Sequence, residues 1–211
     1  MYKSVLEKTT INNIGILTQQ DFIKSFYLAG GTACAIHLGH RISNDLDFFS
    51  EEDLSPFIVK NSLQSIGHFL IDYSDSKTLI GRFNKTKISF FEYKYPLIRK
   101  THPFINLNIS SLEDVACMKI DAISSRGSKR DFVDLYFILK NFAPGLKTLF
   151  KYFEEKYGKE NYNIYHIYKS LVYFDDAERD PELNMLVKYS WKSVKNFFIE
   201  QIKKLSDLIP Q

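Results

Sequence analysis

Asp45 and Asp47 stand two residues apart at the entry to an apolar run, Leu46-Asp47-Phe48-Phe49. Alternate residues of a strand share a face, so both carboxylates project to one side while Leu46 and Phe48 turn toward a core. Two carboxylates so placed repel each other and resist burial. A hard divalent cation removes that conflict, and magnesium takes one or two carboxylates together with the phosphate oxygens of a substrate. Upstream lies Gly30-Gly31-Thr32. A glycine pair lets the backbone turn tightly and approach a ligand. A helix starting at Thr32 would aim its unpaired N–H groups and positive dipole end at that turn, as phosphate sites require. Arg41 and Ser43 precede the acidic pair closely enough to touch phosphate or metal-bound water. A lone Gly-Gly is usually only a turn, and a lone Asp-x-Asp usually a solvated strand end. The conjunction of glycine turn, short helix, basic residue and acidic pair points to a magnesium-held phosphorylated ligand.

The elements that would position these groups change in texture along the chain. Up to about residue 110, short apolar runs alternate with turn signals; from Ser111 onward nearly everything reads as helix. The first part predicts helices over Tyr2–Glu7 and Thr18–Phe26, the latter N-capped by Thr18, then a short apolar run at Phe26–Ala29. A helix follows over Thr32–Leu38, a strand over Leu46–Phe49 and a helix over Ser55–Ile66 with Pro56 in its first turn. Strands are expected at Phe69–Tyr73, Thr78–Phe83 and Lys87–Tyr93, the last two joined by a hairpin turn at Asn84-Lys85-Thr86. Pro96 and Pro103 bracket an irregular segment before a short strand at Ile105–Ile109. Ser111-Leu112-Glu113-Asp114 matches a capping box opening a helix through about Ser124. Further helices are expected at Lys129–Lys140, Gly145–Tyr157, Tyr162–Phe174 and Glu182–Leu208, the last broken or shorter than its pattern.

A second polar block lies in this helical part: Lys119, Asp121, Arg126, Arg130, Asp131 and Asp134. Each has a plain reading. Lys119 could form a surface pair with Asp121, which would contribute little. Asp131 suits the first turn of a helix on dipole grounds, and Asp134 could pair with Arg130 one turn away. Tyr162, Tyr165, Tyr168 and Tyr173 fall mostly at helical spacing and read as an aromatic core stripe, with stacking on acceptor bases as the alternative.

The two blocks together resemble the AbiEii/AbiGii-type nucleotidyltransferase toxins. That family carries a Gly-Gly-Thr turn, then His-Arg-x-Ser-x-Asp-x-Asp-Phe-Phe, matched here from Gly30 and from His40. Its second block is matched by Lys119, Ala122, Arg126, Gly127, Arg130, Asp131, Phe132, Asp134, Leu135 and Tyr136. The resemblance implies an α+β fold: a polymerase-β-like nucleotidyltransferase core, a small mixed sheet with flanking helices, over residues 1–110. A helical region over 111–211 would complete the active site and bind acceptor or partner. It implies Asp45 and Asp47 as metal ligands, with Lys119 and Asp131 beside them as catalytic residues. Gly30, Gly31, Thr32, Arg41, Ser43, Arg126 and Arg130 become nucleotide- or phosphate-binding residues. The implied cofactor is magnesium, with manganese as its substitute, and the implied substrates are a nucleoside triphosphate and an acceptor hydroxyl, on tRNA or another RNA. Many members are toxins of toxin–antitoxin or phage-defence operons, so a cognate antitoxin is also implied. Enzymes of this fold usually carry a third carboxylate on a neighbouring strand. Here that strand offers Ser89, or Glu92 if a bulge turns it round, or the acid comes from Asp131. A non-catalytic nucleotide- or partner-binding module of the same fold is the alternative reading.

Composition sets the frame. The 211 residues carry a net charge of +3, with 45% hydrophobic and 25% charged residues, as in an ordinary globular protein. This charge is too mild to argue nucleic-acid binding by itself. The 18 Phe and 13 Tyr predict an aromatic core. Cys34 and Cys117 fit buried free thiols in a reducing compartment. No stretch is long and apolar enough for a membrane span, and the N-terminus lacks a signal-like segment, so a cytoplasmic protein without membrane contact is expected.

Overall fold

The computed structural model describes residues 1–141 and 145–206. The chain divides into two units, Met1–Ser111 and Leu112–Gln211.

In the first unit, helices α1 (Lys8–Leu17), α2 (Gly30–Leu38) and α3 (Pro56–Ile66) accompany a mixed sheet. Its strands are β1 (Tyr27–Leu28), β2 (Leu46–Ser50), β3 (Phe69–Ser74), β4 (Thr78–Phe83), β5 (Thr86–Glu92), β6 (His102–Phe104) and β7 (Leu107–Ile109). They lie in the order β3-β4-β5-β2-β1-β7-β6. β2 runs parallel to β5 and antiparallel to β1, and β1 runs parallel to β7. The α+β class is as expected.

Aromatic residues fill both faces. Phe48 stacks on Phe90 at 5.2 Å, with Phe26 edge-on to Phe90. On the opposite face Phe49 stacks on Phe91 at 5.0 Å and on Tyr27 at 6.0 Å. Such ring pairs add to what burial alone contributes.

Several expectations change here, the first being the helix over Tyr2–Glu7, which is only a 3-10 turn over Lys3–Val5. Helix α1 occupies residues read as lying between two helices, and Thr18 is its C-cap rather than the N-cap of a following helix. Its inward face, Thr10, Asn13, Ile14 and Leu17, has helical spacing but is half polar. Asn13 donates to Thr86 Oγ1 at 2.8 Å and to the Phe83 carbonyl at 3.1 Å, which makes its burial tolerable. Beyond Thr18 only a 3-10 turn over Asp21–Ser25 forms. Finally, Pro103 sits inside β6, where an edge strand can do without one N–H.

The second unit is helical: α4 (Leu112–Arg126), α5 (Lys129–Asn141), α6 (Gly145–Tyr157), α7 (Ile164–Ser170), α8 (Asp175–Glu178) and α9 (Trp191–Ser206). Phe132 gathers Phe174, Trp191 and Phe198 around it. The expected helix over Tyr162–Phe174 shrinks to α7, capped by Asn163, whose side chain accepts from the Tyr165 and His166 amides. The helix expected from Glu182 begins only at Trp191, because buried Lys129 holds the preceding segment, donating to the Asp180 carbonyl and to Glu182. Its expected end at Leu208 lies outside the described residues. Tyr162 and Tyr168, both half-buried, pack edge-on against Phe153 and Phe150, whereas Tyr165 and Tyr173 are exposed, so the four do not form a core stripe.

Candidate active site

The glycine turn and the acidic pair meet in the first unit. Ala29 N–H donates to the Asp47 carbonyl at 3.0 Å, joining the chain just before α2 to the middle of β2. Gly30 has φ of +67°, a left-handed conformation that side chains rarely adopt. A Cβ built there would lie 3.1 Å from Asp47 Oδ2. The Asp47 carboxylate therefore packs directly against the glycine backbone at the start of α2, where the helix presents unpaired amides. Gly31 does not share the positive φ; it is already part of α2.

Asp45 stands just before β2, outside the ladder. From Asp45 to Phe48, half-buried and buried residues alternate, which keeps Asp45 and Asp47 on one side. Thr32 is buried, its hydroxyl paired with Ser43 Oγ at 2.8 Å and donating to the Asp45 carbonyl. That hydroxyl thus ties the end of the α2–β2 loop to α2. Arg41 is also buried, its Nη1 donating to the Ile42 carbonyl at 3.1 Å.

The question of a third acid on β5 has a geometric answer. Asp47 pairs in register with Ser89, and the register runs unbroken from Leu46/Ile88 to Ser50/Glu92. No bulge turns Glu92 round. It lies on the opposite face, accepting from the Leu54 amide at 3.2 Å and flanked by Lys77 and Lys94. Next to Asp47 the neighbouring strand therefore brings a buried hydroxyl, Ser89, and no carboxylate.

In the second unit Lys119 is buried, not a surface partner of Asp121. Its ammonium lies 2.8 Å from Asp131 Oδ1 and 2.6 Å from Asp134 Oδ2. Arg126 grips Asp131 with two hydrogen bonds, Nε to Oδ2 at 2.8 Å and Nη2 to Oδ1 at 3.0 Å, and Ser128 Oγ adds a third at 2.7 Å. Burial pushes the Asp131 carboxyl up, but Lys119 and Arg126 outweigh it and hold it down at about 2. Both oxygens of Asp131 are thus engaged by cations and a hydroxyl. Asp134 holds the Lys119 ammonium at 2.6 Å, and Arg130, one turn before it on α5, is exposed. A cavity of about 330 Å³ opens at the C-terminal end of α4, lined by Arg126, Gly127, His166, Lys169, Tyr173 and Asp176 among others.

Composition and spacing missed the burial of the second block. The two acids at Asp131 and Asp134 share one side of α5 facing the Lys119 stripe of α4. That i, i+3 pair was the available signal for a buried cation between them.

Comparison with known proteins agrees with this architecture. The family model described as "Nucleotidyl transferase AbiEii toxin, Type IV TA system" matches residues 78–204, which include the second block. An uncharacterized protein of Aquifex aeolicus is 39% identical over 183 residues, 85% of this chain and 87% of that one. The fold is similar to that of a nucleotidyltransferase structure from Helicobacter pylori, with TM-score 0.55 and 17% identity over 95% of this chain and 96% of the other. It is also similar to MenT4, a nucleotidyltransferase toxin of Mycobacterium tuberculosis, with TM-score 0.58 and 13% identity over 92% and 82% of the two chains. Among the described residues no helix is long and apolar enough to cross a membrane. With the glycine turn, the acidic pair and the buried Lys119–Asp131 block on one nucleotidyltransferase fold, the chain belongs to the AbiEii nucleotidyltransferase toxin family.

Proposed function

We propose that the protein transfers a nucleoside monophosphate from a nucleoside triphosphate to an acceptor hydroxyl on tRNA or another RNA, with magnesium held by Asp45 and Asp47. The observation that carries this reading is the Asp47 carboxylate packed on Gly30 at the start of α2. It sets metal-binding oxygens beside helix amides suited to phosphate. The donor set fits the ion: two half-buried carboxylates on one side of β2 and its entry, the oxygen ligands a hard divalent cation takes. When bound, magnesium or manganese would neutralise charge on the phosphate oxygens.

The roles of the chain's own residues follow. Gly30, Gly31 and the Thr32 amide form the phosphate turn, while the Thr32 and Ser43 hydroxyls hold the Asp45 loop. Arg41 supports that loop from within the fold. The acceptor hydroxyl oxygen bonds to the α-phosphorus and gives up its proton to solvent, as the α–β phosphoanhydride bond breaks and pyrophosphate leaves. Positioning and charge neutralisation carry the rate. Lys119 and Asp131, already satisfied by one another and by Arg126 and Asp134, act as a rigid ionic frame rather than as proton carriers. The cavity beside Arg126, with Lys169 and Tyr173 at its wall and Arg130 exposed on the same unit, is assigned to acceptor strand contacts.

The test incubates purified protein with magnesium, each labelled nucleoside triphosphate and total bacterial RNA, beside an Asp45→Ala/Asp47→Ala variant. Label entering RNA only with the intact pair supports the reading and names the donor. Equal incorporation by the variant refutes the metal assignment. Ser89 beside Asp47 favours a second reading, a nucleotide-binding module without turnover. Magnesium-dependent nucleotide binding with no product at high enzyme concentration would select it. Growth arrest on expression, relieved by a neighbouring gene product, is the corresponding test of toxin and antitoxin.

A further inference from the structure

The two acidic residues are fixed by different means. Asp47 lies within β2, between ladder partners on both sides: Leu28 and Phe48 pair next to it, and Ser89 pairs with it directly. Asp45 lies before the strand and has no ladder to hold it. The N-terminal residues meet the connection between α2 and β2 at Gly39, Ser43 and Asn44.

Tyr2 N–H donates to the Ile36 carbonyl at 2.7 Å, and the Tyr2 ring covers Gly39, where a Cβ would come within 2.7 Å of it. The Val5 carbonyl, on a fully buried residue, accepts from Ser43 N–H at 3.0 Å. Asn44 then forms a reciprocal pair with Glu7: its Oδ1 accepts the Glu7 N–H at 2.8 Å and its Nδ2 donates to Glu7 Oε1 at 2.9 Å. Thr10 Oγ1 also donates to Asn44 Oδ1, at 3.2 Å. Asn44 thus satisfies an orphan amide at the start of α1, whose own N-cap residue, Glu7, makes no side-chain cap bond. With Thr32 gripping the Asp45 carbonyl from the other side, residues 43, 44 and 45 are each tied to a separate partner.

The geometry points to the N-terminal segment, residues 2–10, as a clasp that sets the Asp45 carboxylate for metal through Asn44, a positioning residue that itself touches neither metal nor substrate. This rests on the metal role assigned to Asp45 above. Groups that orient metal ligands typically matter tenfold or more in metal affinity.

The experiment uses the full chain and four forms: wild type, Asn44→Ala, Asn44→Asp, and Asn44→Asp with Glu7→Gln. Asn44→Asp faces the Glu7 carboxylate and breaks the reciprocal pair. Adding Glu7→Gln restores it with donor and acceptor exchanged. Manganese alone is titrated by its paramagnetic resonance signal, and amide hydrogen exchange is read at residues 43–45. Both single variants should bind manganese about tenfold more weakly and exchange faster at 43–45, and the double variant should recover both. Cooperative melting in every form ties the changes to the loop. Unchanged exchange at 43–45 in both single variants, or a double variant as impaired as Asn44→Asp, overturns the clasp. Faster exchange, rescued in the double variant, in a protein that binds no manganese would uphold the clasp and refute the metal reading instead.

Discussion

Replacing Gly30 with alanine tests the contact on which the proposed chemistry stands. The substitution acts in two ways. With φ at +67°, alanine pays the left-handed backbone cost, about 1–2 kcal/mol. The new Cβ also lies 3.1 Å from Asp47 Oδ2, and 3.7 and 3.8 Å from Asp47 Cβ and Cγ. The carboxylate must retreat by a few tenths of an ångström. For a chain of this size about 1–2 kcal/mol corresponds to a fall in Tm of ~2–8 °C. The displaced ligand should weaken manganese binding by about tenfold or more and lower nucleotidyl transfer at least as much. The two effects separate in an Asp47→Ala background. There the steric conflict with the carboxylate is gone, and Gly30→Ala should cost only the backbone term. Melting curves and manganese titrations on the four proteins of this cycle provide the assay. A Gly30→Ala protein that loses stability yet binds manganese and transfers nucleotide as wild type does would refute the reasoning.

Three other consequences can be checked at the bench. Asp131 is held at about 2 by Lys119 and Arg126 against the push of burial. Its contribution, about 2 kcal/mol, is therefore present at neutral pH and lost as pH falls from about 4 toward 2; Asp131→Asn should flatten stability over that window, and an unchanged acid profile would contradict the ionic frame. Lys156 and Asp114 form a 2.8 Å pair with both side chains fully buried. Lys156→Met should cost about 3–5 kcal/mol, a fall in Tm of ~6–20 °C, and a loss below 1 kcal/mol would show the pair to be dispensable. Both cysteines are buried, and burial raises the Cys117 thiol well above its ordinary value. Iodoacetamide at pH 8 should leave the native protein unlabelled and modify both thiols after unfolding; rapid native labelling would contradict this burial.

How much of this was legible in the sequence varied with the kind of force at work. The strand carrying Asp47 and the β4–β5 hairpin were legible because alternation and turn residues are local signals. The hairpin closes through Asn84 and Lys85, both with positive φ, as a two-residue turn requires. Helix α1 was hidden because Thr10 and Asn13 occupy its buried face and are satisfied by groups distant in sequence: Asn44, Phe83 and Thr86. Hydrophobic periodicity cannot register a polar residue buried by a remote partner. The same holds for Lys119, which reads as a surface lysine until α5 brings Asp131 and Asp134 against it. The split between Gly30 and Gly31 was equally illegible, since only the backbone angle tells the strained glycine from its helical neighbour. The face of Glu92 followed from regular alternation, and the unbroken register agrees with it.

The order of strands bears on how the first unit can form during synthesis. β2 finds its antiparallel partner β1 close by in the chain, whereas the Glu7–Asn44 clasp spans 37 residues and can close once residue 44 has been made. The parallel pairings come much later, Leu46 with Ile88 and Leu28 with Ile109. Such distant contacts are slow to form, because the loop entropy must be surmounted before they stabilise anything. All the residues that tie down the Asp45 loop, from Tyr2 to Thr32, precede it in the chain, whereas β5 and β7 are made only after it. The unit's sheet is sealed only when residue 109 has left the ribosome.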